Sequence, residues 1–188
     1  MCAKRVMAGR RRVIAAVLCS IGTGLAIGGC ARPEPAAIDL RLVDRAELMA
    51  TIAGHAGRVV VLDCWSTSCP PCVREFPGLV ALAARHPEVA CLSLSFDYEG
   101  IGTPEEAAPR VRDFLASVGA GRIGNMLGRD EADVLYRALD VTSVPAVLVW
   151  NADGAFVRRF DDDDAARRLG RPFTYADVEA TVQELLRR

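Results

Sequence analysis

The sequence predicts an α/β sandwich. Apolar runs of strand length alternate with amphipathic helical stretches, the pattern of parallel βαβ units. Near the end, two apolar runs flank a tight turn and a last helix follows, so an antiparallel hairpin closes the sheet. The 188 residues are 51% hydrophobic and 25% charged, the balance of one globular domain rather than a disordered or collagen-like chain.

Each element has its own warrant. Residues 39–43 read as a short edge strand. Asp44 caps a helix over 45–53, with Glu47 at the capping-box position. Val59-Val-Val-Leu62 is a continuous apolar run rich in β-branched residues, hence a buried central strand. A helix is expected over 71–85, its apolar face Val73, Phe76, Leu79, Val80 and Leu82, with a kink at Pro77. Residues 89–95 form a second buried strand. Thr103-Pro-Glu-Glu106 joins a cap, a first-turn proline and a capping-box glutamate, so a helix runs to about Val118 and stops at Gly119 or Gly121. A short strand is expected at 125–127 and a helix at 131–139. Strands at 146–150 and 155–160 flank the turn Asn151-Ala-Asp-Gly154. The acidic run 161–164 reads as a solvated loop, and Thr174-Tyr-Ala-Asp177 opens the last helix.

Residues 1–29 are an address rather than part of the fold. Arg10-Arg11-Arg12 precede an apolar stretch from Val13 to Ile27, which ends in Gly28-Gly29-Cys30. Basic, then apolar, then small is the order of a secretory signal peptide. The ending resembles a bacterial lipobox, in which the cysteine takes a lipid and becomes the mature N-terminus, here Cys30. An uncleaved anchor over 13–29 is the alternative. Both readings export the domain and tether it. Residues 30–37, with Pro33 and Pro35, form an extended linker, and 38–188 the folded domain.

Charge narrows the chemistry. The leader holds five basic residues and no acid, which leaves 18 basic against 24 acidic residues beyond it. An acidic domain argues against a nucleic-acid partner. Lys4 is the only lysine, so Schiff-base and P-loop mechanisms are excluded from the domain.

Cys69-Pro70-Pro71-Cys72 lies between the strand at 59–62 and the following helix. A cysteine at a helix start faces unpaired N–H groups and the positive end of the dipole, which favour the nucleophilic thiolate. Two intervening residues let the second sulfur reach the first and resolve a mixed disulfide. Each proline removes a donor, so the thiolate is less stabilised and the couple more reducing. Two other readings stand beside this one. Half a zinc site lacks a second ligand pair, since His55 and His86 sit in separate loops as solvated turn residues. A structural disulfide would close a ring too small to gain much entropy. Cys64 and Cys91 fall in buried strands as small core residues.

The segment Asp63-Cys-Trp-Ser-Thr-Ser-Cys-Pro-Pro-Cys72 resembles the active-site segment of the thioredoxin superfamily. Its extension Cys72-Val-Arg-Glu-Phe-Pro77, and an insertion at about 100–127, are similar to the membrane-tethered TlpA/ResA-type thiol–disulfide oxidoreductases. The resemblance spans about 38–188 and implies a thioredoxin-like three-layer α/β/α sandwich with a central mixed sheet. It implies that Cys69 attacks and Cys72 resolves. Asp63 matches a buried acid, whose pKa burial should raise so that it takes the Cys72 proton; an exposed strand-end Asp is the alternative. Glu75, one turn after Cys72, matches a glutamate that tunes the cysteines, or is an ordinary exposed helix residue. Trp65 matches the tryptophan beside the redox pair and is placed with Pro70, Pro71, Val144 and Pro145 among the substrate-binding residues; it also reads as a core aromatic, and both can hold. Thr142-Ser-Val-Pro145 matches the superfamily's cis-proline, which leaves the Val144 backbone to an extended substrate strand; a trans proline at a strand start is the alternative. Ser68 departs from the aromatic often found before the first cysteine.

The expectation is an exported, membrane-anchored reductase of protein disulfides, serving a role like cytochrome c maturation or general thiol rescue. It would draw electrons from a membrane thiol donor, face the periplasm or the outer face of the cytoplasmic membrane, and need no metal or organic cofactor. A peroxiredoxin-like peroxidase would want Thr and Pro where Ser66 and Leu62 stand. A Sco-like metal-handling module would want three residues between the cysteines and a distant histidine.

Overall fold

The structure, a computed structural model, describes residues 37–188. The leader over 1–29, the lipid site at Cys30 and nearly all of the 30–37 linker lie outside the described residues. In chain order the elements are β1 (Leu40–Val43), α1 (Arg45–Ala53), β2 (Val60–Trp65), α2 (Pro70–Glu75), α3 (Pro77–Arg85), β3 (Ala90–Ser95) and α4 (Pro104–Ser117). There follow β4 (Gly124–Gly128), α5 (Ala132–Leu139), β5 (Ala146–Trp150), β6 (Phe156–Phe160), α6 (Asp162–Arg168) and α7 (Tyr175–Leu186).

The six strands form one mixed sheet in the order β1-β4-β3-β2-β5-β6. The first four positions are parallel; β5 runs antiparallel to β2, and β6 antiparallel to β5. Helices cover both faces. Leu48 and Ile52 of α1 pack with Leu135 and Leu139 of α5 under Val60, Leu62 and Cys64. On the other face Leu79 and Leu82 of α3, Val111 and Leu115 of α4, and Val178 and Val182 of α7 cover Val61 and Trp65. Double coverage is why every residue of β2 and β3 is buried, the polar Asp63, Ser93 and Ser95 included. This is the expected three-layer sandwich. The insertion supplies α4 and β4, and β4 takes an interior place between β1 and β3.

Helix starts follow local chemistry. Asp44 accepts the Glu47 N–H at 2.8 Å, and Glu47 accepts the Asp44 N–H at 2.9 Å. Thr103 and Glu106 repeat the box on α4, whose end at Gly119 has a φ of +72°.

Three expectations need correction. The helix over 71–85 is interrupted at Phe76, giving α2 and α3, because Pro77 has no N–H and restarts the helix at its first position. The acidic run is no loop. Asp161 is buried, accepts the Asp164 N–H at 2.8 Å and caps α6, whose acidic first turn and basic last turn both suit the helix dipole. His86 is no solvated turn residue either. It is half-buried, with Nε2 2.9 Å from Glu179 Oε1, and helps Arg85 tie α3 to α7.

Candidate active site

Central strand β2 ends at Trp65, and after four intervening residues α2 begins. Cys69 is the N-cap of α2, with extended backbone (φ −101°, ψ 101°). Pro70 and Pro71 occupy the first helical positions and carry no N–H. The first free amide of the turn is therefore that of Cys72, and it donates to Cys69 Sγ at 3.3 Å. Cys69 is half-buried; Cys72 is only 2% exposed. The two form a disulfide, with Cα atoms 5.3 Å apart. One sulfur can be met from outside and the other only from within, which is the asymmetry that attack and resolution require.

The Val144–Pro145 peptide bond is cis. The Val144 carbonyl oxygen lies 3.7 Å from Cys69 Sγ, so two loops 75 residues apart meet at the cysteine. Both Val144 and Pro145 are half-buried, and Pro70 is exposed beside them on the α2 turn.

Beneath the pair, Trp65 is fully buried. Its ring packs at 4.8 Å from Phe76 and 4.7 Å from Phe114, centroid to centroid. Trp65 is thus the core aromatic that one reading expected, and it offers no surface for the substrate contact that the other assigned. Phe76 and Phe114 of the inserted α4 both pack on the ring.

Asp63 is buried, as expected, on the face shared by Val61 and Trp65. Burial raises its pKa to about 7, opposed by a hydrogen bond from the Tyr175 hydroxyl. Tyr175 is also buried, and burial beside the acid pushes its own pKa far up, so it stays a donor. Nothing near Asp63 in the sequence announces this partner, 112 residues away. Glu75 is half-buried at the end of α2. Cys64 and Cys91 are free thiols in the core, and burial raises both pKa values, Cys91 to about 12. That opposes thiolate chemistry at either.

A second arrangement escaped the sequence reading. Asp97, its side chain 1% exposed, follows β3 and accepts hydrogen bonds from the Thr67 hydroxyl and from the Thr67 N–H at 3.1 Å. Ser95 Oγ adds a third at 2.6 Å and Arg110 of α4 an ion pair at 3.2 Å. This carboxylate pins the loop that delivers Cys69. Thr67, Asp97 and Arg110, with Ser66, Ser68, Glu99 and Ile101, line a cleft of about 430 Å³ beside the cysteine turn.

No protein-family model matches the chain. A curated relative, the chloroplastic thioredoxin-like 2-2 of Arabidopsis thaliana, is 29% identical over 66 residues. That is 35% of this chain and only 27% of the relative's length. Among solved structures, a secreted Mycobacterium tuberculosis disulfide oxidoreductase homologous to E. coli DsbE superposes with a TM-score of 0.54 at 20% identity. It covers 71% of this chain and 86% of its own. The exposed lipoprotein thioredoxin Etrx1 of Streptococcus pneumoniae gives 0.51 at 16% identity, over 71% and 90% of the two chains. The six-stranded mixed sheet, the helices on both faces and these superpositions together establish that the chain has the thioredoxin fold.

Proposed function

We propose that this protein is a thiol–disulfide oxidoreductase that reduces protein disulfides. The observation that carries the reading is the cysteine pair itself: a half-exposed Cys69 at a helix start, bonded to a buried Cys72 and set against the Val144–Pro145 backbone. In the reduced protein the Cys69 thiolate, held by the Cys72 N–H, attacks a substrate disulfide and displaces one substrate thiolate. Cys72 gives its proton to the Asp63 carboxylate and attacks Cys69. The mixed disulfide breaks, the second substrate sulfur leaves as a thiolate that protonates, and Cys69–Cys72 is left oxidised. Two electrons from a membrane dithiol donor restore the enzyme. Glu75, one turn beyond Cys72, tunes the pair, and substrate lies along Val144, Pro145 and the Pro70-Pro71 turn.

The leader and Cys30 support an exported protein held by a lipid, facing the periplasm or the outer side of the cytoplasmic membrane. The pneumococcal relative in fold is itself described as an exposed lipoprotein. Among the described residues no helix is long and apolar enough to cross a membrane. Cytochrome c maturation and general rescue of oxidised thiols are the roles that suit a tethered reductase.

The test is catalysed reduction of insulin by dithiothreitol. Cys69→Ser should fall to the uncatalysed rate, whereas Cys72→Ala should accumulate a mixed disulfide with its substrate on a non-reducing gel. Full activity in Cys69→Ser would sink the reading.

A further inference from the structure

The carboxyl of Asp63 has one polar partner from outside its strand. It is 4% exposed, and its electrostatic surroundings consist of burial and the Tyr175 hydroxyl. Tyr175 opens α7, where Thr174 and Asp177 form a capping box and Arg171 holds Asp177 at 2.7 Å. Its ring lies on Gly78 of α3, where any Cβ would overlap the ring atoms. Three elements, β2, α3 and α7, are thus shaped around one hydroxyl–carboxyl contact. The other titratable groups near the pair are the thiols of Cys91, from β3, and Cys64, on the far face of β2; Cys72 from α2, here in the disulfide, shares its core. From α3 and β5 the neighbours are apolar, Leu79, Leu82 and Val147. With no lysine in the domain and no arginine or histidine acting on Asp63, its carboxylate depends on a neutral donor.

We propose that Tyr175 is a positioning residue of the exchange reaction, its hydroxyl holding the Asp63 carboxylate ready to take the Cys72 proton. The assignment rests on the oxidoreductase reading above. During resolution the Cys72 S–H bond breaks and its proton goes to Asp63. The Cys72 electron pair then forms the bond to Cys69, and the Cys69–substrate bond breaks with its pair on the departing substrate sulfur. The enzyme dithiol is oxidised and the substrate disulfide reduced. A hydroxyl that donates to the carboxylate favours the ionised acid, so its loss makes Asp63 harder to ionise.

The pH profile of single-turnover disulfide reduction by the pre-reduced full-length protein tests this. In the wild type the rate should rise with Asp63 ionisation, near pH 7. Tyr175→Phe keeps the ring on Gly78 and should move that midpoint up by about one pH unit, lowering the rate at pH 7 by roughly fivefold. Added to Asp63→Asn, it should change nothing further. The Asp63 carboxyl signal in carbon NMR of the oxidised protein reports the same shift without turnover. A 3-fluorotyrosine at 175, a stronger donor of nearly the same shape, should move that signal's midpoint down. An Asp63 midpoint unmoved by Tyr175→Phe, or by the fluorinated residue, overturns the assignment while leaving the cysteine chemistry intact. An inactive wild-type protein would instead sink the oxidoreductase reading, and the NMR midpoint would still judge the Tyr175–Asp63 contact.

Discussion

Asp97 and Arg110 show how unequally two members of one ion pair contribute. The carboxylate is enclosed and serves Thr67, Ser95 and Arg110, whereas the guanidinium is 59% exposed. Asp97→Ala strands the Thr67 N–H and should cost about 2 kcal/mol in urea unfolding, with a severalfold loss of insulin turnover as the Cys69 loop loosens. Arg110→Ala should cost less than about 1 kcal/mol, because an exposed pair is screened. Equal losses in the two variants would refute this division. The cysteines, Asp63 and Pro145 could be picked out because their neighbours in sequence carry the motif. Thr67, Asp97 and Arg110 could not, since a threonine before a cysteine and an acid after a strand are unremarkable until the fold joins them across 30 and 43 residues.

The break between α2 and α3 separates two duties. The short α2 presents Cys69 and buries Cys72, and α3 anchors on α7 through Arg85, His86 and Glu179. Gly78 lies against the Tyr175 ring at the α3–α7 contact. Gly78→Ala drives a methyl into the Tyr175 ring and should destabilise the fold by about 1–3 kcal/mol despite the better helix propensity of alanine. A gain in urea midpoint would contradict the packing described. Elements were readable where local chemistry sets them, as in the capping boxes at Asp44 and Thr103. The acidic run shows the opposite case. Asp161 as a cap and Arg167 and Arg168 at the far end suit a helix, but four consecutive acids suit a solvated stretch equally well, and only burial of Asp161 separates the two.

For the molecule as a whole, the buried acid and the α7 acids act in opposite directions with pH. Asp63 has a raised pKa in the fold, so the stability it contributes is full below its ordinary value of 3.8 and is lost as pH rises through about 7. Asp177 and Glu179 are pulled down by Arg171 and by Arg85, Glu179 to about 2, so their contribution is present above ordinary carboxylate values and lost in stronger acid. Stability should therefore peak on the acid side of neutrality, near pH 4–5. Asp63→Asn should be the more stable protein at pH 8, by up to about 4 kcal/mol, with the gap closing toward pH 4. Urea midpoints across that range check it, and a gap independent of pH would refute it. Strand and helix periodicity, capping and the placing of a cysteine pair at a helix start depend on residues within a turn or two of one another, and so could be read along the chain. The strand order β1-β4-β3-β2-β5-β6 depends instead on which faces bury together. It sets α7 against β2, closes Phe114 over Trp65 and delivers Tyr175 to Asp63. Those contacts join side chains that are strangers in sequence, chosen by the shape of a packed core rather than by any pattern along the backbone.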